Sequence, residues 1–96
     1  MEQIERITYM EEILDEAAEA VSSLSEALEK YSAVREKLLE LADYYSSTQW
    51  RQDFDDDCAG KIPSDLKRGV LSEDAVYDLL ADVTRLVDEM KELANQ

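Results

Sequence analysis

Asp53, Asp55, Asp56 and Asp57 form the densest set of potential metal ligands in this sequence. Asp53, Asp55 and Asp57 match the first, third and fifth ligands of an EF-hand calcium loop, in which alternate oxygens converge on one cation. The match then stops. The sixth position, where glycine makes the sharp turn, is Cys58, and the twelfth, where a bidentate glutamate closes the shell, is Ser64. The run is expected to be a solvated acidic turn end rather than a specific metal site, since charge runs usually serve solvation.

Other chemistry is limited by the residue types present. Glu11 with Asp15 and Glu12 with Glu16 have the spacing of one helical turn, and enclosed carboxylate pairs can do acid–base or metal work. Helical di-iron sites, however, need a Glu-x-x-His motif, and the chain has no histidine. The single cysteine, Cys58, cannot form an intramolecular disulfide, and without histidine or a second cysteine the usual zinc, iron–sulfur and Cys–His arrangements are absent. The three carboxylates just before Cys58 are the wrong neighbours for a reactive thiolate. No catalytic residue, cofactor or metal ligand is therefore assigned, and the chain is expected not to be an enzyme. What remains is an aromatic cluster, Tyr44, Tyr45, Trp50 and Phe54. Aromatics with polar tips are enriched at binding hot spots, so these four are the candidate interaction surface. The competing reading is that they pack a connector onto a small core.

These residues sit between two helical patterns. Ile7, Met10, Leu14, Ala17, Val21, Leu24, Leu28, Tyr31, Leu38, Ala42 and Tyr45 recur in steps of three and four, with Arg35 the one interruption, and neither Gly nor Pro intervenes. Ile13, Ala20, Ala27, Val34 and Leu41 widen the stripe. The spacing predicts one long helix over about 3–46. The alternative is a break near Ser22–Ser25, where Ser23 and Glu26 have capping-box spacing and a three-helix bundle would follow. The apolar phase passes through those serines without a skipped step, which favours the unbroken helix.

A second helix is expected over about 73–94, with Ser72 as its cap, Glu73 and Asp74 at the positive end of the dipole, and Val76, Leu79, Val83, Leu86, Met90 and Leu93 as its stripe. Gly60, Pro63 and Gly69 are all of the chain's glycine and proline and mark the segment between as turn-rich. There Ser46 or Ser47 should cap a short helix that puts Trp50 and Phe54 one turn apart and ends at Gly60 in a left-handed turn. Pro63 to Arg68 should make a further single turn stopped by Gly69. The fold class is thus all-α, as one domain of 96 residues with a long amphipathic helix, a turn-rich helical cap and an antiparallel C-terminal helix.

Charge narrows the partners. The net charge is −14, with 12 acidic and 4 basic residues in 1–46 and 7 acidic and 2 basic in 72–96. Such a field repels nucleic-acid phosphates and anionic lipid. No apolar run approaches the roughly 20 residues of a membrane span, and Glu2, Glu5 and Glu11 stand where a signal peptide would be basic and then apolar, so a cytoplasmic location is expected. The function expected is that of a non-enzymatic helical protein-interaction module whose partner the sequence does not specify, and the alternative is a small-ligand or metal-dependent regulator that uses the Asp53–Asp57 run and the aromatics as its site. The long stripe cannot be covered by a return helix of half its length, which predicts a homodimer paired in coiled-coil fashion.

Three stretches carry a resemblance over nearly the whole chain. They are Glu2-Gln3-Ile4-Glu5-Arg6-Ile7, then Tyr44-Tyr45 followed by Trp50-Arg51-Gln52-Asp53-Phe54, and most specifically Leu66-Lys67-Arg68-Gly69-Val70-Leu71-Ser72-Glu73-Asp74. Together they resemble a family of small bacterial domains of unknown function, family 4298. The resemblance implies a small cytoplasmic bacterial protein with no established activity. It supplies no catalytic residue.

Overall fold

The computed structural model describes residues 2–96. Helix α1 spans Gln3–Tyr45, α2 spans Thr48–Cys58 and α3 spans Ala75–Ala94, with a short 3-10 turn at Gly69–Leu71 and, among the described residues, no strand. The protein is all-α. Helix α1 runs through Ser22, Ser23 and Ser25 without a break, so the three-helix alternative is set aside. The uninterrupted apolar phase outweighs the local capping signal, because a serine inside a helix costs little and a loop would displace the stripe.

The chain divides into two compact units, residues 1–36 and 37–96, and the division falls inside α1. In the first unit, every described residue from 2 to 30 is exposed, including Ile7 at 53%, Leu14 at 60% and Val21 at 66%. This unit is a helix segment with an apolar stripe and no core of its own.

The second unit holds the core, which is small: among the described residues only Trp50, Leu71 and Val76 are buried. Each comes from a different element, α2, the 3-10 turn and α3. Ser47 fixes the start of α2, its extended backbone letting its hydroxyl accept from the Trp50 N–H at 3.1 Å while it donates to the Tyr44 carbonyl at 2.6 Å. Gly60, at φ 74°, ends α2 with the expected left-handed residue, and the Lys61 N–H returns to the Asp56 carbonyl at 2.9 Å. Half-buried Leu38, Leu41, Ala42, Tyr44 and Tyr45 bring the last turns of α1 into this unit.

Two expectations need correction. The single turn expected over Pro63 to Arg68 is present only over Pro63 to Leu66, and Gly69 does not stop it. The Leu66 N–H bonds the Pro63 carbonyl at 3.1 Å in one tight turn, and the helical turn begins at Gly69 instead. Gly69 is not in the left-handed region, so it has no reason to stop a helix. Helix α3 also starts later than position 73. Ser72 takes an extended backbone after the 3-10 turn and its hydroxyl accepts from the Ala75 N–H at 3.1 Å, so Glu73 and Asp74 belong to the entry turn. The first α-type bond is Asp78 N–H to the Asp74 carbonyl at 2.8 Å. Along α3 only Val76 is buried, while Leu80, Val83 and Val87 are half-buried and Leu93 is 68% exposed.

Candidate functional site

Trp50 is the hub of the aromatic cluster. Helix α2 turns its indole inward, where it stacks on Phe54 one turn later with ring centroids 5.1 Å apart and 18° between planes. Tyr45, at the end of α1, meets the same indole edge-on at 5.1 Å and 71°. The indole N–H donates to the Val70 carbonyl at 2.9 Å, tying α2 to the 3-10 turn. A tryptophan buried with its one polar atom satisfied is a packing anchor. The Tyr45 hydroxyl donates to the Glu73 carbonyl at 3.1 Å, which holds the entry turn of α3 against the end of α1. Of the four aromatics, Tyr44, Tyr45 and Phe54 keep part of their surface in solvent, whereas Trp50 keeps almost none.

Tyr44 faces differently. Its hydroxyl donates to Asp53 Oδ2 at 2.6 Å, and the pair lines an open pocket of about 200 Å³ together with Ile62, Leu66, Arg68 and Leu71. The bond to Asp53 is the main reason that the phenol is pushed up to about 12, with desolvation and the Asp53 charge adding in the same direction. Tyr44 is thus a donor held neutral through ordinary conditions, not a base.

The acidic run lies on α2, so successive carboxylates point about 100° apart around the helix instead of converging as they would in a calcium loop. Three have partners within the chain. Asp53 accepts from Tyr44; Asp56 accepts from Gln52 Nε2 at 3.0 Å and lies 3.9 Å from Lys61; Asp57 lies 3.3 Å from Arg68. Among the described residues no three Cys, Asp or Glu side chains are grouped to hold a metal ion. Cys58 is exposed at the end of the same helix. The sequence signals did not reveal that Tyr44 would pair with Asp53 or Arg68 with Asp57, nor that Leu71 and Val76 would be buried as Trp50 is. Nothing in linear spacing marks pairs that turns bring together. No described helix is long and apolar enough to cross a membrane.

No curated protein and no solved structure matches the chain. The sequence model of one family, described as a domain of unknown function (DUF4298), matches residues 7–93, from the first full turns of α1 to the end of α3. That span takes in the stripe, the aromatic hub and the turn-rich segment alike, and the chain belongs to the DUF4298 family.

Proposed function

We propose that the protein is a non-enzymatic, cytoplasmic protein-interaction module that engages other helices through the apolar stripe on residues 3–36 of α1. One observation carries this: Ile7, Met10, Leu14, Val21, Leu24 and Leu28 share one face of a helix, and each is at least 43% exposed. Scattered apolar residues on a surface need no explanation, but a contiguous row over several turns marks a surface built for contact. The aromatic cluster has a supporting part in this reading. It anchors α2 and the entry of α3 at the end of α1, so that the stripe is carried by a folded unit rather than by an isolated peptide, which would be a marginal helix.

The test is affinity capture from the native cytoplasm with the wild-type chain and a Leu14→Asp/Leu24→Asp variant, with Trp50 fluorescence reporting the fold of residues 37–96. The expected result is an unchanged fluorescence spectrum and loss of the proteins captured by the wild type. Capture of the same proteins by both chains would refute the stripe as the contact surface.

A further inference from the structure

We propose that the open pocket beside Tyr44 and Asp53 binds a free aliphatic α-amino acid, with the ligand's ammonium on Asp53, its carboxylate on Lys67 and its side chain on the apolar floor. Every residue that lines this pocket lies within residues 37–96, away from the stripe on residues 3–36. The site therefore goes beyond the interaction-module reading and stands or falls apart from it.

Asp53 supplies the first observation. Its half-buried carboxylate accepts from the Tyr44 hydroxyl through Oδ2 at 2.6 Å, while among the described residues no cation pairs with it and no donor bonds Oδ1. A charge drawn out of water is costly unless it is both hydrogen-bonded and paired, and a neutral phenol meets only the first requirement. An ammonium seated against Oδ1 meets the second, with the strength of a charge-assisted bond.

Lys67 supplies the opposite charge at the same pocket. It is exposed, carries its ammonium on a flexible four-carbon stem and makes no ion pair among the described residues, whereas its neighbour Arg68 lies 3.3 Å from Asp57. Asp53 and Lys67 thus line one pocket without pairing with each other. Opposite charges held apart around a pocket select a ligand that carries both. A bare amine meets Lys67 as a like charge and a bare carboxylate meets Asp53 as one, and each is discriminated against. A zwitterion escapes both penalties, and having no net charge it is not repelled at long range by the chain's −14.

The floor decides the side chain. Ile62, Leu66, Val70 and Leu71 line the pocket, and Leu66 at 55% and Val70 at 36% keep apolar surface in water for a ligand to cover. The volume, about 200 Å³, is below the roughly 300–1,000 Å³ of pockets that hold drug-sized molecules. That suits a body the size of leucine and is too small for a nucleotide. A residue inside a peptide has neither backbone charge, so the free amino acid is the form that fits.

The experiment is a titration of the full chain with L-leucine, read by amide NMR. Isoamylamine, which is leucine without its carboxylate, and isocaproate, which is leucine without its ammonium, are the comparison probes. L-Leucine is expected to give saturable shifts at the Leu66, Arg68 and Leu71 amides and at the Trp50 indole N–H, which bonds the Val70 carbonyl, with a dissociation constant on the order of 1 mM for so small a ligand in an open pocket. Each single-charge probe should bind at least about fivefold more weakly. Lys67→Met should weaken L-leucine by about fivefold and abolish its advantage over isoamylamine, while the Trp50 indole signal of the free variant stays in place and reports an intact fold. The Leu14→Asp/Leu24→Asp variant should bind L-leucine as the wild type does, which keeps this site separate from the stripe. No saturable shift up to about twenty times the expected dissociation constant would overturn the proposal. Equal affinity for L-leucine and either probe would overturn it too, as would undiminished binding to Lys67→Met, since the pocket would then be reading apolar surface alone.

Discussion

Replacing Trp50 with phenylalanine should destabilise residues 37–96 by about 2 kcal/mol, in two nearly equal parts. The first is the indole N–H bond to the Val70 carbonyl, 2.9 Å long. Val70 is 36% exposed, so water can reach its carbonyl after the donor is gone, which keeps this loss near the low end of the range for a broken hydrogen bond, about 0.5–1 kcal/mol. The second is the smaller ring. Phenylalanine can keep the stack on Phe54 and the edge contact with Tyr45 but leaves part of the indole volume empty, at a cost on the order of 1 kcal/mol. In a unit of about 60 residues each kcal/mol moves the melting temperature by roughly 4–8 °C, so the midpoint should fall by about 8–16 °C. Circular dichroism is the appropriate assay because the substitution removes the chain's one tryptophan. Trp50→Ala, at about 3–5 kcal/mol, should leave this unit largely unfolded, since it has only two other buried side chains among the described residues. A Trp50→Phe midpoint within about 2 °C of wild type would refute the hub.

Tyr44 titrates late in the fold, at about 12 against an ordinary 10. A folded-state value above the unfolded one gives stability that is fully present below pH 10 and is lost as pH rises from 10 through 12, so alkaline melts should decline in that window, and the part of the decline due to Tyr44 should vanish in Tyr44→Phe. Ultraviolet titration of tyrosinate should lose a high-pH component in Tyr44→Phe, and a curve that keeps that component would contradict the bond to Asp53. Ser47→Ala and Ser72→Ala each remove the hydroxyl that accepts a first-turn N–H, and each should lower stability by about 1 kcal/mol in denaturant titrations. Gly60→Ala meets no atom within 4 Å, so its cost should be backbone strain alone, about 1 kcal/mol, and an unchanged midpoint would remove the left-handed turn. Calcium should bind the Asp53–Asp57 run in the millimolar range or weaker by calorimetry, and micromolar affinity abolished by Asp55→Asn would overturn that.

The parts of the fold that follow local rules were readable in the sequence. Helix α1 ends one residue before its expected end because Ser46 and Ser47 turn the chain, and the stripe predicted both its length and its continuity. Ser47 and Gly60 bound α2 as cap and left-handed stop, since both act on their own backbone neighbours. The segment from Pro63 to Asp74 is less legible in detail. The residue type of Gly69 suggests a stop, but a left-handed stop needs a positive φ, which Gly69 lacks, and here it opens a 3-10 turn tied to α2 by the Trp50 bond to Val70. At the site, the contact of Trp50 with Phe54 was legible because it spans one helical turn. Tyr44 with Asp53 and Tyr45 with Glu73 were not, because their geometry depends on how two turns fold back.

The direct test of the account is whether the stripe of α1 becomes covered in solution. Hydrogen exchange read by mass spectrometry, on peptides from residues 3–36, reports this without any substitution. In the chain alone these amides should exchange quickly, as expected for a helix segment without a buried residue. With a protein captured by the wild-type chain bound they should become strongly protected, while peptides from α2 and the Gly69–Leu71 turn stay as they were. Exchange in residues 3–36 that is equally fast with and without the captured protein would contradict the account.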